Sequence, residues 1–383
     1  MRCSSPGAIL LILLLALPSL AQDVLVTGAP ASKAFLKEVL AARGWTVFPP
    51  SDLAPGETFS GPDGRRVINL DWTPPPASIA ALSDHPEEVD RLGLLFSGGL
   101  TEQRQVRLQY YHLGSLSGPS PQIDLLVTNP GGAKARLHLI QAAGAPSLDY
   151  FTTGHGNNVA WFERQLSEEG EFLDLAPGQT MVVYRQPMPR DKVVSGTLGL
   201  TQVDGPPLQF GLVALPDKSD PPSLNNLLKE GDVHSRGFYP VATQRLRRHH
   251  QVGQGTETRM AVGALRQETF SGVRELRGDY GVLYDLELEL DNPLDRPATV
   301  SVSFNPRGGA ATATFLWDGM VVEVPRTEAM TERPIGSLEL PARSKRTLHL
   351  QTIAEGASSY PIRIVVRDET RVVTVAPTAS HLE

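Results

Sequence analysis

Histidines come first among the residues that could do chemistry, because a histidine can bind a metal ion or transfer a proton near neutral pH. None stands at zinc-ligand spacing beside a carboxylate, so no metal site is predicted. His138 and His349 alternate with apolar residues and are predicted to face outward from strands. His155, in Thr-Thr-Gly-His-Gly-Asn-Asn, is predicted to lie in a polar loop, as a ligand, a base or simply a solvent-exposed side chain. The nine are His85, His112, His138, His155, His234, His249, His250, His349 and His381.

Acidic residues suggest two further kinds of site. Asp285, Glu287, Glu289 and Asp291 alternate along one predicted strand and would share one face. Calcium needs about six to eight oxygens around one point, whereas same-face neighbours on a strand lie ~6.6 Å apart, so a solvated face is predicted instead. A carboxylate pair for glycoside hydrolysis stays open, since such pairs meet in space rather than in sequence.

The segment after residue 23 is similar to the opening of a dinucleotide-binding fold, with a strand, a turn at Gly28, a helix and a second strand. Pyrophosphate binding requires more glycines, so that backbone amides can approach the phosphates. Ala31 and Ala34 stand where those glycines would be needed, and no further strand–helix units precede the proline-rich segment Trp72–Ser78. A small α/β domain without a cofactor is predicted.

Two surface features could bind an extracellular polymer. The basic run Arg245–His250 could contact an anionic wall polymer or lipid headgroups, but a charged strand edge that prevents edge-to-edge association is the simpler interpretation. An exposed aromatic platform could bind glycan, with core packing as the alternative for each ring. The candidates for this platform are either Tyr150, Phe151 and Trp161 or Phe238 and Tyr239.

The first 21 residues predict export. An apolar run from Ile9 to Leu17 and the small-residue sequence Ser19–Ala21 are typical of a cleaved signal peptide. The run is too short for a spanning helix, which needs ~20 residues. Cys3, the single cysteine, precedes the predicted cleavage site, so the mature chain would have no disulfide. The net charge of −7, from 35 Lys plus Arg against 42 Asp plus Glu, argues against nucleic-acid binding.

Two segments 163 residues apart, Leu125–Ile140 and Leu288–Ser303, have nearly the same pattern. In each, alternating apolar residues predict a strand that ends at Asn129 or Asn292, because the proline that follows cannot donate to a sheet. A further pair of similar strands follows at an offset of 165. The repetition predicts a mainly β protein with two tandem immunoglobulin-like antiparallel β-sandwiches after a small α/β segment. One larger sheet is the alternative.

The predicted organisation is a signal peptide (1–21), a small α/β domain (22–78), a linker (79–91), β-sandwich 1 (92–216), a linker (217–232), β-sandwich 2 (233–376) and a tail (377–383). Within sandwich 1, the helical spacing of Val159, Phe162 and Leu166 predicts one short amphipathic helix that covers the sheet.

Several motifs in a fixed order resemble a group of uncharacterised secreted bacterial proteins. Some members of that group carry an N-terminal stalk domain named after copper amine oxidases. The resemblance covers roughly residues 90–370, with departures at Phe238, Tyr239 and Asp279. It implies no known activity, no oxidase chemistry and no functional residues. The motifs are His234–Pro240, Gly278–Pro293, Thr314–Gly319 and Leu338–Val366.

The sequence therefore predicts an exported, non-enzymatic scaffold or adaptor of the cell envelope, because duplicating a sandwich extends a surface rather than an active site. The alternative is a binding module for cell-wall glycan or another extracellular polymer, and a secreted hydrolase is least favoured. The predicted partner is an extracellular protein or wall polymer rather than nucleic acid. No transmembrane segment is predicted in the mature chain.

Overall fold

The computed structural model describes residues 45–47, 58–60, 66–68, 77–100, 105–116, 121–166, 170–216, 227, 232, 234–239, 241–264, 267–268, 275–276 and 278–369. The predicted signal peptide, Gly28 with its following helix, and the tail (377–383) lie outside these residues. Strands dominate the described residues, which contain one α-helix, and this confirms a mainly β protein. None of the described helical segments is long and apolar enough to cross a membrane.

Three short strands lie in the predicted α/β domain, namely β1 (Trp45–Val47), β2 (Thr58–Ser60) and β3 (Arg66–Ile68). β2 pairs with β3 in antiparallel fashion, and β1 pairs with β3 in parallel. They form a sheet of their own.

Two sheets share one hydrophobic cluster and form what we call the first sheet pair. Leu108, Leu125 and Leu212 are fully buried members of this cluster, contributed from both sheets. One sheet has the order β10-β9-β12-β7-β4-β14, with β5 beside β7, and the other has the order β11-β8-β13-β6. The strands are β4 (Ala77–Ser83), β5 (Glu88–Val89), β6 (Gly93–Leu100), β7 (Gln105–Gly114), β8 (Pro121–Thr128), β9 (Ala135–Ala143), β10 (Glu171–Leu175), β11 (Thr180–Pro187), β12 (Val193–Asp204), β13 (Leu208–Pro216) and β14 (Arg236–Tyr239).

Strands from outside the predicted sandwich 1 complete this sheet pair. β4 and β5 overlap the segment predicted as a linker (79–91), and Ala81 and Leu82 of β4 are buried. β14 comes from the predicted sandwich 2 and pairs with β4 from Arg236 to Tyr239. The chain therefore returns to the first sheet after the predicted linker (217–232), so that strand pairing crosses the predicted boundary.

Two more sheets form the second sheet pair around another hydrophobic cluster, which includes Leu288, Phe304 and Ile364. Burial alternates strictly along β19, as its period-two sequence predicts. The sheet orders are β15-β19-β24-β21-β22 and β16-β25-β20-β23, with β17 and β18 as a separate small pair. The strands are β15 (Thr243–Gln251), β16 (Thr258–Val262), β17 (Gln267–Glu268), β18 (Glu275–Leu276), β19 (Leu283–Asn292), β20 (Ala298–Pro306), β21 (Ala311–Trp317), β22 (Met320–Thr327), β23 (Arg333–Leu340), β24 (Ser344–Ile353) and β25 (Ile362–Asp368).

The two asparagines of the similar segments make equivalent hydrogen bonds. Asn129 Nδ2 donates to the Leu175 carbonyl at 3.0 Å, and Asn292 Nδ2 donates to the Leu340 carbonyl at 3.1 Å. In each case Oδ1 accepts from the backbone amide two residues later, at 3.0 and 3.1 Å respectively. Each buried asparagine thus closes the turn after its strand and ties that turn to a later strand.

The single described helix, α1 (Tyr150–Leu166), lies between the two sheet pairs. Its Trp161 and Phe162 are fully buried and pack in a small cluster with Ile140 of β9 and Ile353 of β24. The helix therefore covers the first sheet pair, as predicted, and also joins it to the second.

The prediction that His155 lies in a loop is wrong, because α1 begins at Tyr150 and contains the whole Thr-Thr-Gly-His-Gly segment. Asp149 caps the helix, since its Oδ1 accepts from the Phe151 amide at 3.1 Å. Gly154 weakens the helix locally but permits a close approach to Gly356, which the sequence pattern does not reveal.

Candidate functional site

A cleft of about 450 Å³ lies where the two sheet pairs meet. Its volume is within the range of about 300–1,000 Å³ that is common for small-molecule sites, and such sites often form at domain junctions. One wall comes from the first sheet pair and α1, and the other comes from Tyr280 and residues 356–359. The lining residues are Leu82, Asp84, Glu87, Gln109, Tyr111, Leu113, Leu148, Tyr150, Asp191, Val193, His234, Tyr280 and residues 356–359.

β7 positions three lining residues, Gln109, Tyr111 and Leu113, through the alternation of its side chains. Leu108 and Tyr110 point into the core of the first sheet pair. Arg107, Gln109 and Tyr111 therefore lie on the opposite face, toward the second sheet pair. Arg107 is buried and donates to the carbonyl of Ala242 at 2.8 Å and to that of Gly281 at 3.1 Å. Burial lowers the pKa of Arg107 to about 10, which leaves it charged at neutral pH.

Two buried acceptor atoms at the cleft have no hydrogen-bond partner among the described residues. One is Oε1 of Gln109, whose amide nitrogen donates to the Ala354 carbonyl at 3.4 Å. The other is Oδ1 of Asp84. Since buried polar atoms are nearly always paired, two orphans beside one cleft mark a place where the donor groups of a ligand fit.

The pKa values of the carboxyl groups of Asp84 and its neighbour Asp232 shift in opposite directions. Burial raises the pKa of Asp84 well above its ordinary value, and the nearby carboxylates of Glu87 and Asp232 raise it further. Burial also opposes ionisation of Asp232, but hydrogen bonds from the amides of His234 and Glu87 outweigh it and lower the pKa of Asp232. A protonated Asp84 can donate as well as accept, whereas an ionised Asp232 only accepts.

His234 is held between two carboxylates at the edge of the cleft. Its Nδ1 lies 2.7 Å from Asp232 Oδ1, and its Nε2 lies 3.4 Å from Glu87 Oε2. Asp232 Oδ2 also accepts from the Glu87 amide at 2.9 Å, and His85 lies 3.7 Å from the same oxygen. This network fixes Glu87 beside Asp84.

Three tyrosines belong to the lining. Burial, followed by the charges of Glu87 and Asp84, raises the pKa of Tyr111. Burial and then Asp84 raise the pKa of Tyr280 to about 12, so both phenols stay neutral near Asp84. Tyr280 donates to the Ser358 carbonyl at 2.7 Å. Tyr150 is half exposed at the start of α1 and brings an apolar ring to the opening.

Glu355 anchors the loop that forms the second wall. Its side chain is fully buried and accepts from the hydroxyls of Thr312 and Thr314, the latter at 2.7 Å. Nδ1 of His155 lies 3.1 Å from Glu355 Oε2. Residues 356–359 follow directly, so this contact between α1 and the loop sets the position of the wall.

The protonated His155 side chain stabilises the structure by pairing with two carboxylates and is not placed to act as a catalytic base. Its Nε2 lies 3.0 Å from Glu323 Oε2, so both ring nitrogens face carboxylates. Burial works against its charge, but the hydrogen bonds to Glu323 and Glu355 outweigh burial and raise the pKa of His155 to about 10. An imidazolium with both N–H groups engaged has no lone pair for proton abstraction at neutral pH.

The predicted basic run and acidic stripe meet on adjacent strands. β15 pairs with β19 in parallel and in register, and it is the edge strand of its sheet. Arg245 lies 3.6 Å from Asp285, and Arg247 lies 3.3 Å from Glu287. These contacts agree with a charged strand edge on a solvated face. In the described part of the chain, no group of three or more His, Cys, Asp or Glu side chains has metal-binding geometry.

The predicted aromatic platform does not form. Trp161 and Tyr239 are fully buried, Phe151 is buried, and Phe238 packs 5.0 Å from Phe96. Of the five predicted platform residues, only Tyr150 lines the cleft. Tyr111 and Tyr280, which were not predicted, line it as well. The Tyr110-Tyr111 pair was an available signal, because consecutive strand residues face opposite sides.

His138 was predicted to face outward, and that prediction is wrong. The residue is 1% exposed, and its ring packs 4.8 Å from that of Phe172 on β10. The face of β9 that carries His138 is covered by neighbouring residues, so alternation alone did not predict its exposure. His349, predicted in the same way, is exposed on β24.

Comparisons with known proteins leave the family open. No family model matches this chain, and no curated protein matches it. The PBSX exported protein XepA is 10% identical over 84% of this chain and 98% of that chain, with a TM-score of 0.16. Tripeptidyl peptidase 2 is 9% identical over 83% of this chain and 27% of that chain, with a TM-score of 0.21.

The multicopper oxidase Fet3p, which functions in iron import, is 9% identical over 76% of this chain and 64% of that chain, with a TM-score of 0.12. TM-scores this low support no statement about the fold or activity of this chain. The resemblance to secreted bacterial proteins with a copper amine oxidase-like stalk stays a prediction.

Proposed function

We propose that this chain is an exported, non-catalytic binding protein in which two immunoglobulin-like sandwiches form one rigid scaffold around the cleft. The observation that carries the proposal is the pair of unpartnered buried acceptors, Asp84 Oδ1 and Gln109 Oε1, beside a cleft of about 450 Å³. A ligand that donated hydrogen bonds to these atoms would offset the cost of their burial, because a buried unpaired polar atom costs about 1–3 kcal/mol.

Rigidity is supported by three kinds of contact between the sheet pairs. Arg107 on β7 donates to two carbonyls of the second sheet pair. Asn158 on α1 is buried and donates to the Ile353 carbonyl at 2.7 Å. Ile140 and Ile353 share an apolar cluster with the helix. Such a molecule would present fixed walls to a ligand, so we favour a binding module over a hinged spacer or adaptor.

The ligand class follows from the polar lining. Protonated Asp84 can donate, whereas Gln109 Oε1 and Glu87 accept. A sugar hydroxyl donates and accepts at once, and tyrosine rings offer apolar surface to a sugar ring. We therefore propose that the ligand is a segment of an extracellular glycan.

The first test is a thermal-shift and calorimetric screen of soluble glycans against two leucine variants. Leu113→Trp fills the cleft, and Leu92→Trp makes the same change at a residue that is exposed and does not line it. We expect one or more oligosaccharides to stabilise the wild type and Leu92→Trp but not Leu113→Trp. Oligosaccharides that stabilise all three proteins equally, or none of them, would argue against a binding function for the cleft.

A hydrolase is the second candidate, because a protonated Asp84 beside Glu87 is an arrangement in which a glycosidase acid can work. The same screen tests it by chromatography of each oligosaccharide after incubation. Intact oligosaccharide supports binding alone. Shortened products that disappear in Asp84→Asn would replace the non-catalytic proposal.

A further inference from the structure

The charged lining of the cleft has one dominant sign. Glu87 and Asp191 line it beside Asp84, whose raised pKa favours its neutral form, and none of its described lining residues is lysine or arginine. His234 is the single histidine of this lining, and it lies between Asp232 and Glu87. The side chains of Glu87 and Asp191 stand partly exposed at the cleft, Glu87 3.4 Å from His234 Nε2 and Asp191 3.7 Å from Arg190 Nε, and their outer oxygens face solvent.

The buried floor of the cleft favours hydrogen-bond donors. Gln109 is 1% exposed, and its Oε1 can only accept. An ammonium group carries three N–H donors, more than a hydroxyl offers, and it gains from nearby carboxylates. The acceptor and the acidic lining therefore point to the same kind of ligand group.

The tyrosine rings that line the cleft are also suited to binding a cationic ligand group. A tyrosine ring presents a negative face, which attracts an ammonium group more strongly as that group is desolvated. Tyr111 and Tyr280 line the cleft together with Asp84 and Glu87. Rings and carboxylates thus surround the same space.

We propose that the cleft recognises the free ammonium group of an amino sugar within a glycan. This inference rests on the proposed glycan-binding function and narrows it to a cationic class. A lysine side chain also supplies an ammonium, but it offers nothing to accept a hydrogen bond from protonated Asp84. A sugar hydroxyl next to the ammonium provides that acceptor.

Three tetrasaccharides with the same linkage provide the test. A glucosamine tetramer, an N-acetylglucosamine tetramer and cellotetraose carry an ammonium, an acetamide or a hydroxyl at the same carbon. Calorimetry at about pH 6, below the pKa of an ordinary amine, measures each with the full-length folded protein. We expect the glucosamine tetramer to bind at least about 10-fold more tightly than cellotetraose, and added salt to reduce this preference.

Charge variants locate the interaction. Glu87→Gln is expected to weaken glucosamine tetramer binding roughly 3- to 10-fold and to weaken cellotetraose binding less. Glu339→Gln, at an exposed position of β23 that does not line the cleft, is the control and is expected to have no effect. Circular dichroism of Glu87→Gln establishes that the variant is folded.

The outcomes separate this inference from the function on which it rests. If the wild type binds all three tetramers equally and Leu113→Trp binds none of them, the preference for ammonium is overturned. The proposed glycan-binding function of the cleft is then retained. If Leu113→Trp still binds the glucosamine tetramer, the binding site lies outside the cleft. This result overturns both the ammonium preference of the cleft and its proposed glycan-binding function. Tetralysine binding as tightly as the glucosamine tetramer overturns the sugar class in favour of general amines. Failure of the glucosamine tetramer to bind overturns the inference, while the wider glycan screen still decides the proposed function.

Discussion

Gly154 on α1 and Gly356 on the loop after β24 touch so closely that a Cβ on Gly154 would lie 2.0 Å from the Gly356 carbonyl oxygen. A Cβ on Gly356 would lie 2.7 Å from Cδ2 of Tyr111. Helix, loop and tyrosine are therefore stacked without room for a side chain at either glycine. The cleft wall depends on this stack, because residues 356–359 line it.

Two glycines of α1 provide a matched pair for testing the contact. Gly154→Ala is expected to destabilise the protein by about 1–3 kcal/mol, since the backbones of α1 and of the loop at Gly356 would have to move apart. Gly156→Ala is expected to stabilise it by about 0.5–1 kcal/mol, because its Cβ would lie 3.7 Å from Gly144 Cα and alanine favours a helix. Urea unfolding measures both, and a similar gain in the two variants would contradict the close contact.

The ion pairs of His155 predict a pH-dependent stability. The pKa of His155 in the folded state is about 10, above an ordinary value of about 6.5. Its stabilisation is therefore fully present below about pH 6.5 and is lost as the pH rises through about 10. His155→Gln should cost about 2–4 kcal/mol at pH 6 and less near pH 10.

The control for this experiment is His349→Gln, because His349 is exposed on β24. We expect it to change the unfolding free energy little at either pH. A cost of His155→Gln that is the same at pH 6 and pH 10 would show that packing, not the charge of the imidazolium, accounts for it.

The raised pKa of Asp84 predicts the opposite response to substitution. A carboxyl group whose pKa is higher in the folded state makes the protein less stable as the pH rises from about 4 through that folded pKa. Asp84→Asn removes this loss and is expected to raise the unfolding free energy by about 1–2 kcal/mol at pH 7, with no gain near pH 3.

Asp191→Asn is the companion variant, because the Asp191 side chain is 76% exposed at the same cleft. Thermal unfolding of both variants between pH 3 and pH 8 is the measurement. A gain for Asp84→Asn that persists unchanged at low pH would refute a raised pKa. A gain at neutral pH combined with weaker ligand binding would mark Asp84 as a residue retained for function at the expense of stability.

Arg107 is expected to be among the most sensitive positions of the interface. Arg107→Ala would leave the Gly281 carbonyl without its Arg107 donor and the Ala242 carbonyl with only the Leu283 amide, and is expected to cost about 1–3 kcal/mol. The exposed Arg259→Ala on β16 is the control, with an expected cost below about 1 kcal/mol. Hydrogen exchange at the Leu283 amide, which donates to the Ala242 carbonyl, is measured together with chemical unfolding and tests whether the two sheet pairs separate there. Equal costs for the two variants would contradict the bridging role.

Local regularities of the sequence predicted the strands and their turns well. Alternation along β19 predicted its burial, because successive side chains of a strand must face opposite sides. The Asn-Pro pairs predicted where β8 and β19 end, and Asn129 and Asn292 make the same hydrogen bonds at those ends. These features depend on neighbours within a few residues, so they can be inferred from the sequence alone.

Glycine in α1 shows where local reasoning fails. Thr-Thr-Gly-His-Gly predicts a loop when read alone, yet Gly154 lies within α1, where its contact with Gly356, far away in the chain, leaves no room for a side chain. The same distant loop brings Glu355 to His155 and so decides that this histidine is a fixed cation. Neither partner can be identified from residues next to His155.

The sequence by itself determined the strand pattern, the closing asparagines and the charged edge of β15. Only the tertiary structure decided the cleft, because Asp84, Gln109, Tyr280 and residues 356–359 meet only when two sheet pairs pack across α1. Strand periodicity records which side of a sheet a residue faces. It does not record which distant surface covers that side, and the ionisation and pairing of these residues depend on that surface.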